Sequence, residues 1–289
     1  MDGIRSLLFV PGDSERKIAK GLASAADALI LDLEDSVAAE RRAFARDLCR
    51  ETIEAGSTKM LFVRVSALDT EDALLDLAAV VRARPFGVML PKCRSAGDLR
   101  SLDAMLSALE VRDGISRRTL KVLPIVTETA ASMFGLNTYR EDTPRLIGAL
   151  WGGEDLAADI GALANRDVAG RYAPTYELAR TFCLLAATAS RTTAVDAVYT
   201  NFRDSAGLKA EAERAARDGF TAKAAIHPDQ VNVINAAFTP SAEQIAFAQR
   251  VVALFEGAEA TAVVALDGRM LDRPHLTLAK RILSRARAG

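Results

Sequence analysis

Eight short, almost unbroken apolar runs recur along the chain, at residues 7–10, 28–33, 60–65, 87–90, 122–126, 146–151, 194–199 and 222–226. A strand with one solvated face alternates apolar and polar residues. A parallel strand covered on both faces stays apolar throughout, and these runs read that way. Amphipathic stretches lie between them, at 14–25, 38–55, 69–84, 96–111 and 205–218, the last stopping at Gly219. This alternation implies a parallel α/β fold. Eight repeats fit a (β/α)8 TIM barrel better than an open doubly wound sheet, and the GxGxxG fingerprint of the open sheet is missing after the first run.

Half of the 289 residues are hydrophobic, enough for one barrel-sized core. The barrel is expected over residues 1–238. Helices predicted at 230–237, 241–255 and 274–287, with a short apolar run at 262–266, leave residues 239–289 as a helical extension. Its expected role is contact with a neighbouring subunit. The long connection 156–191 carries Asn165-Arg166-Asp167 and Arg171-Tyr172-Ala173-Pro174 and reads as an active-site loop leading into another helix.

A net charge of −1 gives no basic field for nucleic acid. Cys49, Cys93 and Cys183 are widely spaced, and His227 and His275 are the only histidines, so thiolate and multi-histidine metal sites are disfavoured. No apolar stretch reaches the roughly 18 residues of a membrane span, and the first residues lack the apolar core of a signal peptide. A cytoplasmic protein without membrane or nucleic-acid partners is expected.

In such a barrel, chemistry sits at the C-terminal strand ends. Ionisable residues collect there: Asp32 and Glu34 after the second run, Arg64 in the third, Lys92 after the fourth, Glu128 after the fifth, Glu154 and Asp155 after the sixth, and His227 after the eighth. Each has a plainer reading. Arg64, Asp32, Glu34 and Lys92 can be structural ion pairs, and Glu128 and Asp155 can be first-turn helix acids. Together they suggest a site. Glu128 and Asp155 come from successive strands and can converge on one Mg2+, which keeps much of its hydration. Its open positions accept the keto and carboxylate oxygens of a 2-oxo acid, and Arg64 can fork a carboxylate or a developing oxyanion. That chemistry suits making or breaking a C–C bond beside a carbonyl. Glu154 is expected to orient the turn or line the pocket, and Ile226 and His227 to line the substrate.

Seven stretches carry a resemblance: residues 5–12 (RSLLFVPG), 31–37 (LDLEDSV), 63–65 (VRV), 88–92 (VMLPK), 124–130 (PIVTETA), 151–156 (WGGEDL) and 225–230 (AIHPDQ). In this order the chain resembles the citrate lyase β-subunit-like proteins, with the malyl-CoA and citramalyl-CoA lyases. The resemblance implies a barrel assembled as a trimer or a pair of trimers, Mg2+ on Glu128 and Asp155, and Arg64 against substrate. It also implies coenzyme A thioester substrates, with residues 9–17 (Phe9 and Lys17 at its ends), Arg42 and Arg46 as contacts to coenzyme A. Ser66 stands where the family commonly has Asn.

The segment 267–274 (DGRMLDRP) resembles the end of the CoA-lyase branch, in which Asp272 would reach a neighbour's site as the acid/base group. Its plainer reading is a solvated turn with Pro274 in the first helical turn. The implied activity is a Mg2+-dependent acyl-CoA lyase, cleaving malyl-CoA or citramalyl-CoA to acetyl-CoA plus glyoxylate or pyruvate, with thioester hydrolysis as an associated reaction. Asp32, Glu34 and Lys92 would set the electrostatics of the metal site. The alternatives are a citryl-thioester lyase subunit, a CoA-independent aldolase and a non-enzymatic metabolite-binding barrel.

Overall fold

The structure is a computed structural model and describes residues 3–256 and 263–288. The elements run β1 (Ser6–Pro11), α1 (Glu15–Ala23), β2 (Ala28–Asp32), α2 (Arg42–Glu54), β3 (Met60–Arg64), α3 (Glu71–Val80), β4 (Gly87–Leu90), α4 (Ala96–Arg112), β5 (Lys121–Pro124) and α5 (Ala130–Gly135). They continue β6 (Gly148–Leu150), α6 (Glu154–Asp159), α7 (Pro174–Ala189), β7 (Thr193–Asp196), α8 (Ser205–Asp218), β8 (Ala222–Ala225), α9 (Pro228–Phe238), α10 (Ala242–Glu256), β9 (Val264–Leu266), β10 (Arg269–Leu271) and α11 (Arg273–Ala288).

The eight expected strands form one parallel sheet in the order β5-β4-β3-β2-β1-β8-β7-β6. Parallel bridges Val122↔Leu146 and Ile125↔Leu150 join its two ends and close the expected (β/α)8 barrel. Alternation along each strand divides the apolar residues into two cores. Leu7, Ile30, Phe62, Met89, Leu123, Val195 and Ala224 fill the interior. Leu8, Leu29, Leu31, Val63, Val88 and Val122 pack outward against the helices. Both faces are covered, which is why the runs are apolar at every position.

Polar residues set several boundaries. The Ser14 hydroxyl accepts from Lys17 N at the start of α1, and the Asp204 carboxylate from Gly207 N at the start of α8. Gly219, at φ 117°, ends α8 in a left-handed conformation that glycine adopts without steric cost. Some limits differ from expectation. The run 194–199 leaves the sheet after Asp196, because the Tyr199 carbonyl accepts from Gln230 Nε2 at 2.8 Å instead of a strand neighbour. The connection expected from residue 156 instead opens as a helix at Glu154, so both acids lie in its first turn.

Beyond α9, the α10–α11 pair and the antiparallel β9–β10 hairpin enclose a separate small core of Ala248, Val251, Leu266, Leu271 and Ala279. The apolar run expected at 262–266 yields a strand from Val264, and residue 262 lies outside the described residues. This extension meets its own barrel at the N-terminal strand ends. There Ile4, Thr193 and Thr221 share a cavity of about 750 Å3 with Arg281 and Arg285, and Arg285 Nη2 donates to the Phe238 carbonyl at the end of α9. No described helix is long and apolar enough to cross a membrane.

Candidate active site

Asp32 and Arg64 end β2 and β3 in register, pointing to the same side as Ile30 and Phe62 two residues earlier. The Arg64 fork is held by Asp32 through Nε–Oδ1 at 2.6 Å and Nη2–Oδ2 at 2.7 Å. Its Nη1 faces Glu34 Oε2 at 3.1 Å and Asp35 Oδ2 at 3.2 Å. The guanidinium carbon also lies 5.1 Å from the centroid of Phe9, close enough for a cation–π contact. Burial disfavours the Asp32 carboxylate, but Arg64 outweighs it and holds the carboxyl below its usual range. Glu34 differs. Burial pushes it up to about 7 despite Arg64 and Lys92, whose Nζ lies 2.6 Å from Oε1.

Glu128 follows β5 and is buried, 3% exposed. Oε2 accepts the backbone N–H of Lys92 at 2.5 Å. Lys92 holds φ at 50°, a left-handed conformation rare for a side-chain-bearing residue, which puts this N–H on the carboxylate. Burial first, and the charge of Asp155 second, push Glu128 up to about 8. Asp155, on the first turn of α6, faces Lys92 Nζ at 3.7 Å. Thr127 joins the two acid-bearing loops: Gly152 N donates to its hydroxyl at 3.0 Å, and the hydroxyl donates to the Gly152 carbonyl at 3.2 Å. Gly152 is required there, since a Cβ would lie 2.8 Å from Glu128 Cγ.

Two neighbouring carboxylates, one of them the deeply buried Glu128 whose charged form is disfavoured by burial and by the other, gain from a cation. Among the described residues no group of three or more His, Cys, Asp or Glu is arranged to hold a metal. Glu128 and Asp155 therefore leave most of a coordination shell to water and ligand oxygens, which suits Mg2+. The adjoining cavity of about 310 Å3 is lined by Asp32, Arg64, Glu128, Glu154 and Asp155 on its polar side and by Phe9, Leu150, Trp151, Tyr172 and Ile226 on its apolar side. Glu154 also accepts from Asn165 Nδ2 at 2.7 Å.

A second cavity of about 740 Å3 lies between α1 and α9 and shares Phe9, Pro11 and Ile226 with the first. Lys17 lines it together with Arg16 and Lys20. Lys20 went unnoticed in the sequence, although it lies four residues after Arg16 and so on the same helix face. His227 lines it too, stacked 5.1 Å from the Phe202 ring and accepting from Asp229 N as the cap of α9.

Arg42 and Arg46 line neither cavity. They pair with Asp72, and Arg46 Nε with Asp76 at 2.7 Å, so they join α2 to α3. Asp272 is half exposed at the start of α11, with Oδ1 2.6 Å from His275 Nδ1. Among the described residues none of its contacts is with the strand-end groups. Trp151 and Tyr172 line the pocket as well, although neither stands out in the sequence: Trp151 only ends an apolar run, and Tyr172 falls in the connection expected as an active-site loop.

The family model described as "HpcH/HpaI aldolase/citrate lyase" matches residues 5–228. The chain is similar to a (3S)-malyl-CoA thioesterase of Cereibacter sphaeroides, 36% identical over 98% of this chain and 95% of that one. It is similar to the mitochondrial citramalyl-CoA lyase of Mus musculus, 32% identical over 98% of this chain and 86% of the other. Among solved structures, protein CitE of Mycobacterium tuberculosis, in complex with magnesium, acetoacetate and coenzyme A, superposes with a TM-score of 0.81 at 35% identity, covering 99% of this chain and 98% of that one.

Proposed function

The chain belongs to the HpcH/HpaI aldolase/citrate lyase family, and on that premise we propose that it is a Mg2+-dependent lyase that joins or splits a short acyl-CoA and a 2-oxo acid. Malyl-CoA and citramalyl-CoA are the candidate substrates, giving acetyl-CoA with glyoxylate or pyruvate. The observation that carries this reading is the pairing of buried Glu128 with partly exposed Asp155 beside an arginine already oriented by Asp32. Glu128 and Asp155 would hold Mg2+, which when bound supplies Lewis-acid polarisation of the oxo group.

The remaining steps belong to the chain's own groups. Arg64, held by Asp32 through Nε and Nη2 and faced at Nη1 by Glu34 and Asp35, would turn its remaining Nη2 N–H to the oxo-acid carboxylate or to charge developing on oxygen. Lys92 sets the field around the carboxylates and closes the side towards Glu34. The cavity of about 740 Å3, with Arg16, Lys17 and Lys20 on one rim, suits the phosphates of coenzyme A, and its junction with the smaller cavity at Phe9 and Ile226 suits the thioester. Arg42 and Arg46, committed to α3, are left out of this binding role.

Asp272 of a neighbouring copy is the proposed acid/base group, because within one chain it lies on the extension, apart from the strand ends. Assembly as a trimer or hexamer is supported by Leu178, Phe182 and Leu185, which share one exposed face of α7. A cytoplasmic location agrees with three free cysteines. The likeness to a malyl-CoA thioesterase favours hydrolysis of the thioester as a second reading.

The test is turnover of malyl-CoA and citramalyl-CoA with Mg2+ and after EDTA, with products identified by mass. Cleavage should require Mg2+, and Glu128→Ala should lower kcat/KM at least about 100-fold. Turnover indifferent to complete metal removal would refute the reading. Free coenzyme A with intact malate marks the thioesterase.

A further inference from the structure

The connection between α6 and α7 folds as a small hairpin. Asp167 N donates to the Arg171 carbonyl at 2.8 Å and Gly170 N to the Asp167 carbonyl at 2.9 Å, and Arg166 pairs antiparallel with Tyr172. Gly170, at φ 76°, supplies the left-handed turn position. Arg166 lies on the inner side of this hairpin. Its guanidinium carbon is 3.7 Å from the centroid of Tyr172, and Nη1 donates to the Gly170 carbonyl at 2.8 Å. Nη2 pairs with Glu211 Oε2 of α8 at 2.8 Å.

The contacts continue inward. Glu211 Oε1 pairs with Lys223 Nζ at 2.9 Å, and Lys223 with Asp196 Oδ2 at 2.7 Å. Asp196 Oδ1 accepts the indole N–H of Trp151 at 2.7 Å. The Trp151 and Tyr172 rings then meet edge to face, with centroids 4.9 Å apart and planes at 72°, which closes the circuit. Its inner half, Lys223 and Asp196, is almost wholly buried, so leaving either partner alone carries a large desolvation penalty. Arg166 is the one charged member on the hairpin. Trp151 and Tyr172, the two rings in the circuit, are also wall residues of the cavity beside Glu128 and Asp155.

We propose that Arg166 is a positioning residue: it clamps the hairpin so that Tyr172 and Trp151 keep the shape of the pocket that receives the 2-oxo acid. The pocket's assignment rests on the function proposed above. The clamp rests on the geometry alone, so the two fail separately. A guanidinium suits this place because it stacks flat on a ring while donating in its own plane, which a lysine ammonium does not do.

Trp151 is the only tryptophan, so its emission reports on this wall. In the ligand-free protein, Arg166→Ala should shift the emission to the red and raise acrylamide quenching about twofold as water reaches the indole. With Mg2+ present, KM for glyoxylate or pyruvate in the condensation direction should rise about 10-fold, with kcat changed far less. Arg166→Lys should fall between, and Arg171→Ala, an exposed arginine of the same hairpin, should match the wild type. Unchanged emission and quenching in Arg166→Ala overturn the clamp. A shifted emission with unchanged KM overturns its role in the pocket. If Arg166→Ala does not fold, Arg166→Lys and Tyr172→Ala decide, and wild-type quenching and KM in both overturn the proposal. If neither CoA thioester is turned over, the function fails, while the emission still decides the clamp; oxo-acid affinity is then read by titrating Trp151 emission with pyruvate and glyoxylate.

Discussion

Two residues show how closely the site is drawn. Lys92 is held at φ 50°, a conformation that costs on the order of 1–3 kcal/mol, and its N–H lies on the Glu128 carboxylate. Such strain persists only where surrounding contacts enforce it, and here the Glu34 carboxylate holds the other end of the same residue. Gly152 works by absence. Gly152→Ala would place a methyl 2.8 Å from Glu128 Cγ, so Glu128 must move. We expect the Mg2+ concentration for half-maximal activity to rise about 10-fold, with the far-UV circular dichroism spectrum unchanged. An unaltered metal requirement would show that Glu128 can yield without consequence.

Among the elements, the extension raises the sharper question. α10, the β9–β10 hairpin and α11 have their own core and join their barrel at the N-terminal strand ends, the face opposite Arg64 and Glu128. Asp272 is therefore presented outward. If it completes a neighbour's site, two defective variants should rescue each other. Arg64→Ala and Asp272→Ala, each inactive alone, are co-refolded in equal amounts. In a closed ring about one site in four then combines an intact Arg64 with an intact Asp272, and about a quarter of wild-type activity returns. No recovery in demonstrably mixed oligomers would confine Asp272 to its own chain or to a structural role. At the level of single helices, α2 shows why charge alone misleads: Arg42 and Arg46 were candidates for coenzyme A phosphates, but α3 presents Asp72 and Asp76 opposite them.

The whole molecule relies on buried charge pairs that the runs of apolar residues conceal. Lys223, in the middle of β8, is fully buried between Asp196 and Glu211. Arg145 is likewise enclosed by Asp103 and Glu110. Burial works against each of these three acids, Asp103, Glu110 and Asp196, but their cationic partners outweigh it and hold them below the usual carboxylate range. A carboxyl that is more acidic folded than unfolded adds stability above its unfolded value, near pH 4, and loses it as pH falls through the folded value. The unfolding free energy from urea titrations should therefore be flat with respect to these groups between about pH 5 and 7 and fall steeply below about pH 4. Asp196→Asn should flatten that acid limb while lowering stability at pH 7, because Lys223 and Arg180, whose Nε lies 3.3 Å from Asp196 Oδ1, lose their partner charge. An acid limb unchanged by the substitution would remove Asp196 from the account.

Eight apolar runs at helix-length intervals pointed to the barrel, because parallel strands buried on both faces need helices between them, and eight such units suit a closed barrel better than an open sheet. Periodicity also fixed where Asp32, Arg64, Glu128 and Asp155 fall, since residues at strand ends must lie on one rim. Tertiary structure alone decided how these groups are partnered. Asp32 ends up behind Arg64 through strand register, Lys92 turns its N–H to Glu128 through a left-handed backbone, and Arg42 and Arg46 are neutralised by a helix 30 residues away. Tyr172 joined the pocket wall beside Trp151 only because a hairpin folds back onto α8, where Arg166 pairs with Glu211. A sequence pattern carries the direction in which a side chain leaves its own element, while the charge or ring it meets belongs to another element and depends on how the two pack.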